Sequence, residues 1–511
     1  PEVFRIGSQL SFLSTAVLIG AAAAWHRAAA SADPLERLIE QSREPLERWL
    51  RRVGRSTGEL VLLGAAVWVV TAPLVAQRFH LVSPVGLLLN PVLSPLVALA
   101  MGWGFLCLAA APFSTLLAGL CGSGCDATLG LISACVSWAA ALPGGYAWVC
   151  GPPGWWVGGW YLLLVAILLW LPAHRLRSLR TWGVVIIAWL GVGQVAATVS
   201  HLCSRPLQLE AVVVAMGHGC GIVVRSPTGR CLVYDAGRLG APGAARRAMA
   251  AVLWSEGVRR IDTLVISHAD ADHFNAVPEL LERFSVGEVI VSPAFLQSDS
   301  FAVADLLRKT QATRVPVKTV TAGDALPFDD LCRVRVLHPK PEEEAPAAEP
   351  RAGDDNQSSL VLAVEAAGRR LLLTGDLEGE ALERFVGADP DPCDALIAPH
   401  HGSGTTLPPT LATATVPEWV IVSGVGGARW GEVRDAYANS RADGRPARVL
   451  KTGGEGAIRL RFTAAGTSVQ QFRGGAWVDI AAPEAARTPL TPLLFPASAA
   501  IQPPPTTPRW R

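Results

Sequence analysis

Long apolar runs fill most of the first 200 residues, and they constrain the fold of this chain more than any other feature. A helix that crosses a bilayer needs about 20 mostly apolar residues. One of the apolar runs, residues 127–142, is short and is also compatible with a re-entrant segment. We expect a polytopic α-helical membrane domain over residues 1–200. The candidate spans are residues 4–25, 58–78, 84–111, 127–142, 156–172 and 181–199.

The composition of the 511-residue chain supports this expectation. Hydrophobic residues make up 50% of the chain and charged residues 17%, whereas charged residues make up about 25% of an average soluble domain. The net charge of +1 argues against a strongly basic surface for nucleic acid. Because the chain begins with proline and shows no signal peptide, we expect a fragment of a longer protein that lacks the N-terminal part.

Two arginine-rich loops predict the topology. Residues 26–57 hold seven Arg, and residues 173–180 contain HRLRSLR. Loops of this kind stay in the cytoplasm. If all six segments cross the membrane, both loops lie on the same side and the 181–199 segment carries the chain outward. We therefore expect a multi-pass protein of the inner (cytoplasmic) membrane with an extracytoplasmic C-terminal domain, and a re-entrant 127–142 segment would break this parity.

The stretch CGSGC places Cys121 and Cys125 between two apolar runs. The spacing could support a disulfide or a pair of metal ligands. The interpretation that we favour is that these small residues pack in a membrane loop. The other cysteines are scattered, without the spacing of a zinc ribbon.

Residues 205–480 have the pattern of a soluble α/β domain. Short apolar runs of 4–8 residues indicate buried strands, and helices are predicted at 243–256 and 276–284. Two packed sheets with helices outside are therefore expected. Residues 340–355 are predicted to form a mobile acidic loop, and residues 482–511 a disordered Pro-rich tail. The predicted strands are EAVVVAM, GIVVRS, CLVYDAG, TLVISH, VGEVIVS, RVRVLHP, SLVLAVEAAG, RLLLTGD, ALIAPHH, WVIVSG and AIRLRFT.

Four metal-ligating side chains lie within six residues directly after the predicted strand DTLVI. They are His268, Asp270, Asp272 and His273. A turn can fold such side chains around a pair of metal ions, whereas a strand sends alternate side chains to opposite faces. Imidazole and carboxylate groups suit Zn or Mn. The alternative is that these residues only cap helices and form turns.

Further candidate ligands follow two other predicted strands. LLLTGD ends on Asp376, and ALIAPHHGS ends a strand with His400 and His401. Three strand ends that each deliver His or Asp predict a site for two divalent metal ions at the edge of stacked sheets. We interpret Asp235, at the end of CLVYDAG, as a structural residue that holds the ligand loops by hydrogen bonds. The remaining histidines are interpreted as interfacial or loop residues, namely His26, His80, His174, His201, His218 and His338.

The order DAG … SHxDxDH … TGD … HHGS resembles the metallo-β-lactamase superfamily. The HxDxDH form, with Asp where many members have a second His, is similar to the ComEC-type competence (DNA internalisation) membrane channel family. The stretches RIGSQLSFLSTAVLIG and LVSPVGLLLNPVLSPLVAL resemble membrane segments of that family. The resemblance covers about residues 1–470, without the family's N-terminal soluble module. It implies an αββα metallo-β-lactamase-like domain over 205–480 after the membrane domain.

The resemblance also implies a function and a set of partners. It implies DNA uptake across the cytoplasmic membrane in natural transformation, with a C-terminal nuclease-like hydrolase that degrades one strand. The implied partners are DNA, as a single strand in transit, and membrane lipids. Association with other DNA-uptake proteins or with further copies of the chain is left open.

Carried over residue by residue, the resemblance implies the roles of individual side chains. Asp376 would bridge the two ions, and Asp272 would be both a ligand and the catalytic proton acceptor. Asn356 and Ser359 would orient phosphate or a ligand. The implied metal ligands are His268, Asp270, Asp272, His273, Asp376 and His400.

Three departures from the family pattern keep two alternatives open. Residues 274–276 read FNA where the family has two Gly, so the site is expected to be narrowed or reshaped. A GQGD-like stretch reads GHGC at 217–220, and the stretch GARWGEVRDAYANS lacks a His. One alternative is a channel with a catalytically inactive lactamase-like domain. The other is a membrane-anchored metallo-hydrolase of a different phosphoester or a lactone.

Overall fold

The computed structural model of the chain divides into two compact units, Pro1–Cys203 and Ser204–Arg511. The predicted disordered tail, most of the predicted acidic loop and the second arginine-rich loop lie outside the described residues. The structure describes residues 6–30, 42–149, 151–170, 184–193, 195–196, 199, 205–240, 242–341, 354–426, 429–439 and 441–480.

The first unit is built from apolar helices. Among its described residues, the four helices α1 to α4 are long and apolar enough to cross a membrane, while α5 and α6 are shorter apolar helices. Large side chains such as Leu88, Leu116 and Leu162 are 71%, 72% and 73% exposed, as expected for surfaces that face lipid. The elements are α1 (Ile6–Ala30), α2 (Pro45–Phe79), β1 (Leu81–Val82), α3 (Val85–Ala110), α4 (Thr115–Ala141), β2 (Ala147–Trp148), α5 (Gly154–Trp170) and α6 (Val184–Gly193).

Helix α4 corrects the expected short or re-entrant segment at 127–142. The helix is continuous over 27 residues, and Ser114 caps it by accepting a hydrogen bond from Leu117 N. The prediction missed its first half because the small residues of CGSGC lower the local hydropathy. That stretch lies within the helix and not in a loop. Hence the segment is long enough to span a bilayer.

The small residues of α4 allow a close approach to α3. A Cβ atom at Gly124 would lie 2.9 Å from Cδ2 of the Trp103 ring. The Cys125 thiol donates to Ala100 O at 3.5 Å, and the Cys107 thiol donates to Ala118 O at 3.3 Å. Packing of small residues against a neighbouring helix is the usual basis of helix association in membranes, and the cysteines described in this unit are free thiols.

The second unit contains two sheets that pack face to face. The nine-stranded sheet has the order β18-β17-β16-β3-β4-β5-β6-β7-β8, and the seven-stranded sheet has the order β15-β14-β13-β12-β11-β10-β9. The strands are β3 (Leu209–Val213), β4 (Gly221–Arg225), β5 (Cys231–Ala236), β6 (Arg260–Val265), β7 (Ser285–Val291), β8 (Val317–Thr319), β9 (Ala325–Leu326), β10 (Arg333–His338), β11 (Val361–Ala366), β12 (Arg369–Leu373), β13 (Ala395–Ile397), β14 (Trp419–Val422), β15 (Arg448–Lys451), β16 (Ile458–Thr463), β17 (Gly466–Arg473) and β18 (Ala476–Ile480).

Helices cover the outer faces of both sheets. An apolar core that includes Ile222, Leu362 and Trp419 fills the space between the sheets, and two further cores lie under the helices on either side. The αββα architecture is therefore present. The helices are α7 (Pro242–Ser255), α8 (Ala271–Phe274), α9 (Val277–Arg283), α10 (Pro293–Gln297), α11 (Phe301–Thr313), α12 (Asp354–Gln357), α13 (Gly379–Gly387), α14 (Pro408–Thr415) and α15 (Trp430–Asn439).

The parallel strands of each sheet bring the polar turns to one edge. In the first sheet β5, β6 and β7 run parallel, and in the second sheet β12, β13 and β14 run parallel. The carboxyl ends of parallel strands meet at the same edge of a sheet, where α/β proteins commonly place their ligands. The turns after β5, β6, β12 and β13 carry the side chains singled out in the sequence.

Candidate metal centre

The turn after β6 carries the first four candidate ligands, with the two imidazoles in the protein interior and the two carboxylates nearer the surface. His268 and His273 are fully buried, and their ring centroids are 4.2 Å apart. Asp272 is partly buried, whereas the side chain of Asp270 is 51% exposed and its Oδ2 lies 3.5 Å from His268 Nε2. The turn therefore presents a buried pair of imidazoles with two carboxylates toward solvent.

The turn after β12 places Asp376 against these imidazoles. Asp376 Oδ1 lies 3.2 Å from His273 Nε2, and Oδ2 lies 3.5 Å from His401 Nε2. Gly375, with φ of 56°, permits this approach, because a Cβ there would lie 2.9 Å from Ser267 Cβ. A carboxylate that reaches a different imidazole with each oxygen is suited to bridging two cations.

After β13, His401 lies in the cluster and His400 does not. His401 Nε2 lies 3.5 Å from Asp272 Oδ2, and its side chain is 6% exposed. His400 is 34% exposed and its Nδ1 bonds Glu378 Oε2 at 2.7 Å. The geometry therefore favours the neighbour of the predicted ligand. The cause is a pair of left-handed residues, with φ of 48° and 53°, that sends the two rings in different directions.

A layer of acceptors fixes the tautomer of each imidazole. Asp235 Oδ2 accepts from His273 Nδ1 at 2.8 Å, and the Ser423 carbonyl accepts from His401 Nδ1 at 3.0 Å. The Ser267 hydroxyl donates to Asp235 Oδ2 at 2.8 Å, so its oxygen accepts from His268 Nδ1 at 2.9 Å. In its neutral form each ring therefore carries the proton on Nδ1, and Nε2 presents a lone pair.

These lone pairs are the strongest sign that the residues fit a metal. Among the described residues, Nε2 of His268, His273 and His401 is buried and makes no hydrogen bond. Buried polar atoms without partners are rare in proteins and require an explanation. Histidines that bind metals usually donate the other ring N–H to a carboxylate or a carbonyl. The donor set of imidazoles and carboxylates is also the set that Zn and Mn accept.

Two groups of ligand atoms at this edge are compact enough to hold an ion each. One consists of His268, His273 and Asp376, and the other of His218, Asp272 and His401; within each, the atoms lie within 4.8 Å of one another. A third compact group, Cys220 with Asp235 and His273, lies on the Nδ1 side. The oxygens of Asp235 already accept bonds from Ser267 there, so this third group is structural.

The electrostatics of the cluster favour a cation. Burial opposes the charged form of Asp376, but His273 and His401 outweigh it and hold the pKa of that carboxyl well below its usual range. Burial likewise opposes charge on His273, yet Asp376 and Asp235 raise its pKa well above the ordinary value. The added proton at His273 Nε2 would face Asp376, on the side where a metal ion would be held, while Asp235 stays at Nδ1.

The substituted residues of the motif pack away from the cluster. Phe274 is buried against Phe295, with ring centroids 5.4 Å apart, and Ala276 lies in the same apolar core. Asn275 accepts from Arg238 N at 3.2 Å and donates to Arg238 O at 2.7 Å. These side chains therefore brace the loop after β5, and the structure does not place them where they would narrow the site. Burial raises the pKa of the Cys220 thiol well above its ordinary value, so the thiol stays neutral.

The predicted supporting residues hold the turn after β12 and its neighbours. The Ser359 hydroxyl accepts from Asp376 N at 3.2 Å. Asn356 donates to Glu378 Oε1 at 2.7 Å, and Glu378 also bonds His400. Glu378 was not predicted, and its signal in the sequence is its position two residues after Asp376.

His218 was not predicted to lie at the metal centre, because it was interpreted as an interfacial or loop residue. Its ring lies 4.8 Å from the His401 ring, and burial together with His401 lowers its pKa. The signal available in the sequence was a histidine in GHGC, within the loop that joins β3 to β4.

A cleft of about 480 Å³ opens beside the cluster. The exposed guanidinium of Arg429 and the hydroxyl-bearing Ser403 contribute to its wall, together with two imidazoles of the cluster edge. Its lining residues are His218, His400, His401, Gly402, Ser403, Gly404, Val425, Gly426, Arg429 and Val433.

Two family models match separate parts of the chain. The Competence protein model matches residues 1–174, and the Metallo-beta-lactamase superfamily model matches residues 220–407. Together they confirm the resemblance drawn from the motifs. They also confirm the fold class of a helical membrane unit followed by a metallo-β-lactamase-like unit.

Two curated relatives are similar to more than half of the chain. The ComE operon protein 3 of Bacillus subtilis (strain 168) is 26% identical over 320 residues, which are 59% of this chain and 39% of that protein. The Competence protein ComA of Neisseria gonorrhoeae is 28% identical over 312 residues, 60% of this chain and 39% of that protein. The match thus spans well under half the length of either relative. Among solved structures, Zn²⁺-bound PqqB from Methylobacterium extorquens is 16% identical with a TM-score of 0.26, over 37% of this chain and 71% of that chain.

Proposed function

Since the Competence protein model matches residues 1–174 and the Metallo-beta-lactamase superfamily model matches residues 220–407, we propose that the chain works in DNA uptake during natural transformation. In this proposal the membrane domain, residues 1–200, lets a single DNA strand cross the cytoplasmic membrane. The metallo-β-lactamase-like domain, residues 205–480, hydrolyses phosphodiester bonds of the other strand. DNA and membrane lipids are then its direct partners.

The observation that carries the enzymatic part is the convergence of unpaired Nε2 atoms and carboxylates beside an open cleft. A purely structural cluster would satisfy those buried atoms with protein partners. The cleft places the exposed Arg429 on the same wall as His401. A guanidinium is well suited to bind a phosphate of a nucleic-acid backbone by paired hydrogen bonds. The neighbourhood therefore offers both a cation site and an anion contact.

Each residue has a defined part in the proposed hydrolysis. Divalent ions bound here would supply a Lewis acid that polarises a phosphoryl oxygen and makes a water more acidic. Asp376 would lie between the two cation positions. Asp272 Oδ2 lies 3.5 Å from His401 Nε2 and the side chain is 17% exposed, so this carboxylate would accept a proton from the attacking water. Asp235 holds His273 in the required tautomer.

The topology proposal follows from the loop charges. The arginine-rich residues 43–55 belong to the start of α2 and the loop before it, and we place them in the cytoplasm. The second domain then lies outside the cytoplasm, where incoming DNA arrives. Protease treatment of spheroplasts should cleave this domain while a cytoplasmic marker stays intact; protection of the domain would contradict the placement.

The test of the nuclease uses the full chain in detergent, reconstituted with Zn²⁺ or Mn²⁺ and given end-labelled single-stranded and double-stranded DNA. We expect cleavage by the wild-type chain and at least a ~100-fold loss in Asp272→Ala together with His273→Ala. The matched control is Asp305→Ala, an exposed acid on α11 that pairs with Arg308 at 3.0 Å. It should cut at the wild-type rate.

The same experiment separates the alternatives. A metal-loaded chain that cuts no DNA would remove the nuclease and favour a channel with an inactive domain. Cleavage of another phosphoester or a lactone, with normal DNA uptake in a strain that lacks the gene, would instead favour a membrane-anchored hydrolase. Loss of uptake in that strain, restored by the wild-type gene, is the result that the proposal expects.

A further inference from the structure

The loop between β3 and β4 holds His218 firmly at the edge of the metal centre. Leu239 N donates to the His218 carbonyl at 2.7 Å, and the Ser423 hydroxyl donates to the Gly219 carbonyl at 2.8 Å. Gly219 has φ of 149°, and a Cβ there would lie 2.4 Å from the Gly237 carbonyl oxygen. The backbone on both sides of the imidazole is thus pinned against two other loops.

The imidazole of His218 and two other side chains of the metal centre surround one small volume. Ligand atoms of His218, Asp272 and His401 lie within 4.8 Å of one another. Around a tetrahedral ion with bonds of about 2.1 Å, ligand atoms lie roughly 3.4 Å apart. Small side-chain rotations would therefore bring the three atoms onto one ion. His401 Nε2, which is buried and makes no hydrogen bond among the described residues, points into this volume.

We propose that His218 is a protein ligand of the second metal ion, together with Asp272 and His401. The first ion would then be held by His268 and His273, with Asp376 between the two. Two imidazoles and one carboxylate favour Zn²⁺ over Mg²⁺, which prefers oxygen ligands and near-octahedral geometry. The inference rests on the metal centre of the proposed function but not on the nature of the substrate.

The position of His218 also gives the second ion an open side. His218 is exposed and lines the cleft, as does His401. With Asp376 shared between the two ions, water or substrate would enter from this side as a further ligand, since catalytic zinc can expand from four ligands to five. The exposure of His218 also means that its replacement removes little packing, so a variant should fold.

The test counts ions on the full chain purified in detergent, by elemental analysis and by calorimetric titration with Zn²⁺ alone. We expect two ions on the wild-type chain. In His218→Ala the first ion should bind as before, and the dissociation constant of the second should rise by at least ~10-fold. His218→Glu should recover much of that affinity, because carboxylate oxygen is also a zinc ligand.

The matched control is His400→Ala, which removes a neighbouring cleft imidazole that bonds Glu378. It should keep both ions at wild-type affinity. Two ions of unchanged affinity in His218→Ala would overturn the proposal, as would a loss of the second ion in His400→Ala alone. A chain that binds two ions through His218 yet cuts no DNA would refute the nuclease function and leave this assignment intact.

Discussion

Asp235 determines how the buried imidazoles of the metal centre are oriented. Its φ of 57° lies in the left-handed region, its Oδ1 accepts from Ser267 N at 2.7 Å, and its Oδ2 accepts from His273 Nδ1 at 2.8 Å. One carboxylate thus binds both the backbone and a side chain of the turn after β6. Outer groups of this kind are commonly worth about 10–100-fold in metal affinity.

Asp235→Asn tests this role without changing the shape of the residue. Asparagine tolerates a left-handed backbone, but its amide nitrogen cannot accept from His273. We expect the zinc affinity of the centre to fall by about 10–100-fold, measured by calorimetric titration, with little change in melting temperature. Asp305→Asn, at an exposed position on α11, is the control. An unchanged affinity in Asp235→Asn would show that the histidine needs no acceptor at Nδ1.

At the level of elements, a buried carboxylate ties α7 to the first sheet. Glu256 follows α7 directly, and its oxygens bond Arg225 of β4 at 3.0 Å and also Arg459 of β16. All three side chains are less than a tenth exposed. Removing one member of such a group leaves buried charges without a counterion, which is far more costly than losing an exposed pair.

Glu256→Ala should therefore destabilise the second unit by about 3–5 kcal/mol. The measurement is the unfolding transition of that unit in the detergent-solubilised chain. Glu380→Ala, which removes an exposed partner of Arg384 at 3.5 Å on α13, should change it by less than about 1 kcal/mol. Equal effects of the two substitutions would contradict the special role of the buried group.

In the membrane unit, the contact between α3 and α4 depends on Gly124. A valine there would drive a branched Cβ to within 2.9 Å of the Trp103 ring, and overpacking of this kind costs about 1–3 kcal/mol. We expect Gly124→Val to lower the melting temperature of the detergent-solubilised chain. Gly130→Val, on the same helix but with no atom within 4 Å of the new Cβ, should not. A lower melting temperature for Gly130→Val than for Gly124→Val would contradict a contact between α3 and α4 at Gly124.

For the whole chain, the metal centre is an addition to a core that folds by apolar burial. The residues between the sheets and under the helices are almost fully buried without it. We expect chelation to increase hydrogen–deuterium exchange at residues 267–276 and 399–402 while β4 and β11 stay protected. Zinc should restore protection, with a stabilisation of about 2.7 kcal/mol when its free concentration is 100 times its dissociation constant. Global loss of protection on chelation would mean that the metal is part of the folding core.

The strands predicted from continuous apolar runs are all present, because buried strands carry their signal in consecutive residues. The strands missed were those with a weaker signal. β8 and β9 are only three and two residues long, and the four residues of β15 are all half-buried. The hairpin β17–β18 at 466–480 has exposed positions along both strands. For a similar reason only the second half of helix α4 was predicted, since small residues contribute little to the hydropathy. The same small residues allow α3 to approach α4 closely.

Periodicity and strand-end residues are local properties, so the amino-acid sequence was enough to predict the fold class and the edge at which chemistry can occur. The motif pointed to His400 as the ligand, whereas the structure turns His401 inward, because the two adjacent residues have left-handed backbones that the motif does not reveal. The sequence also could not assign His218, because its loop reaches Asp272 and His401 only once β3 lies beside β4 and the two sheets are packed. His401 meets Asp272, and His218 meets both, across more than fifty positions of the chain, and folding in three dimensions is what brings such distant residues together.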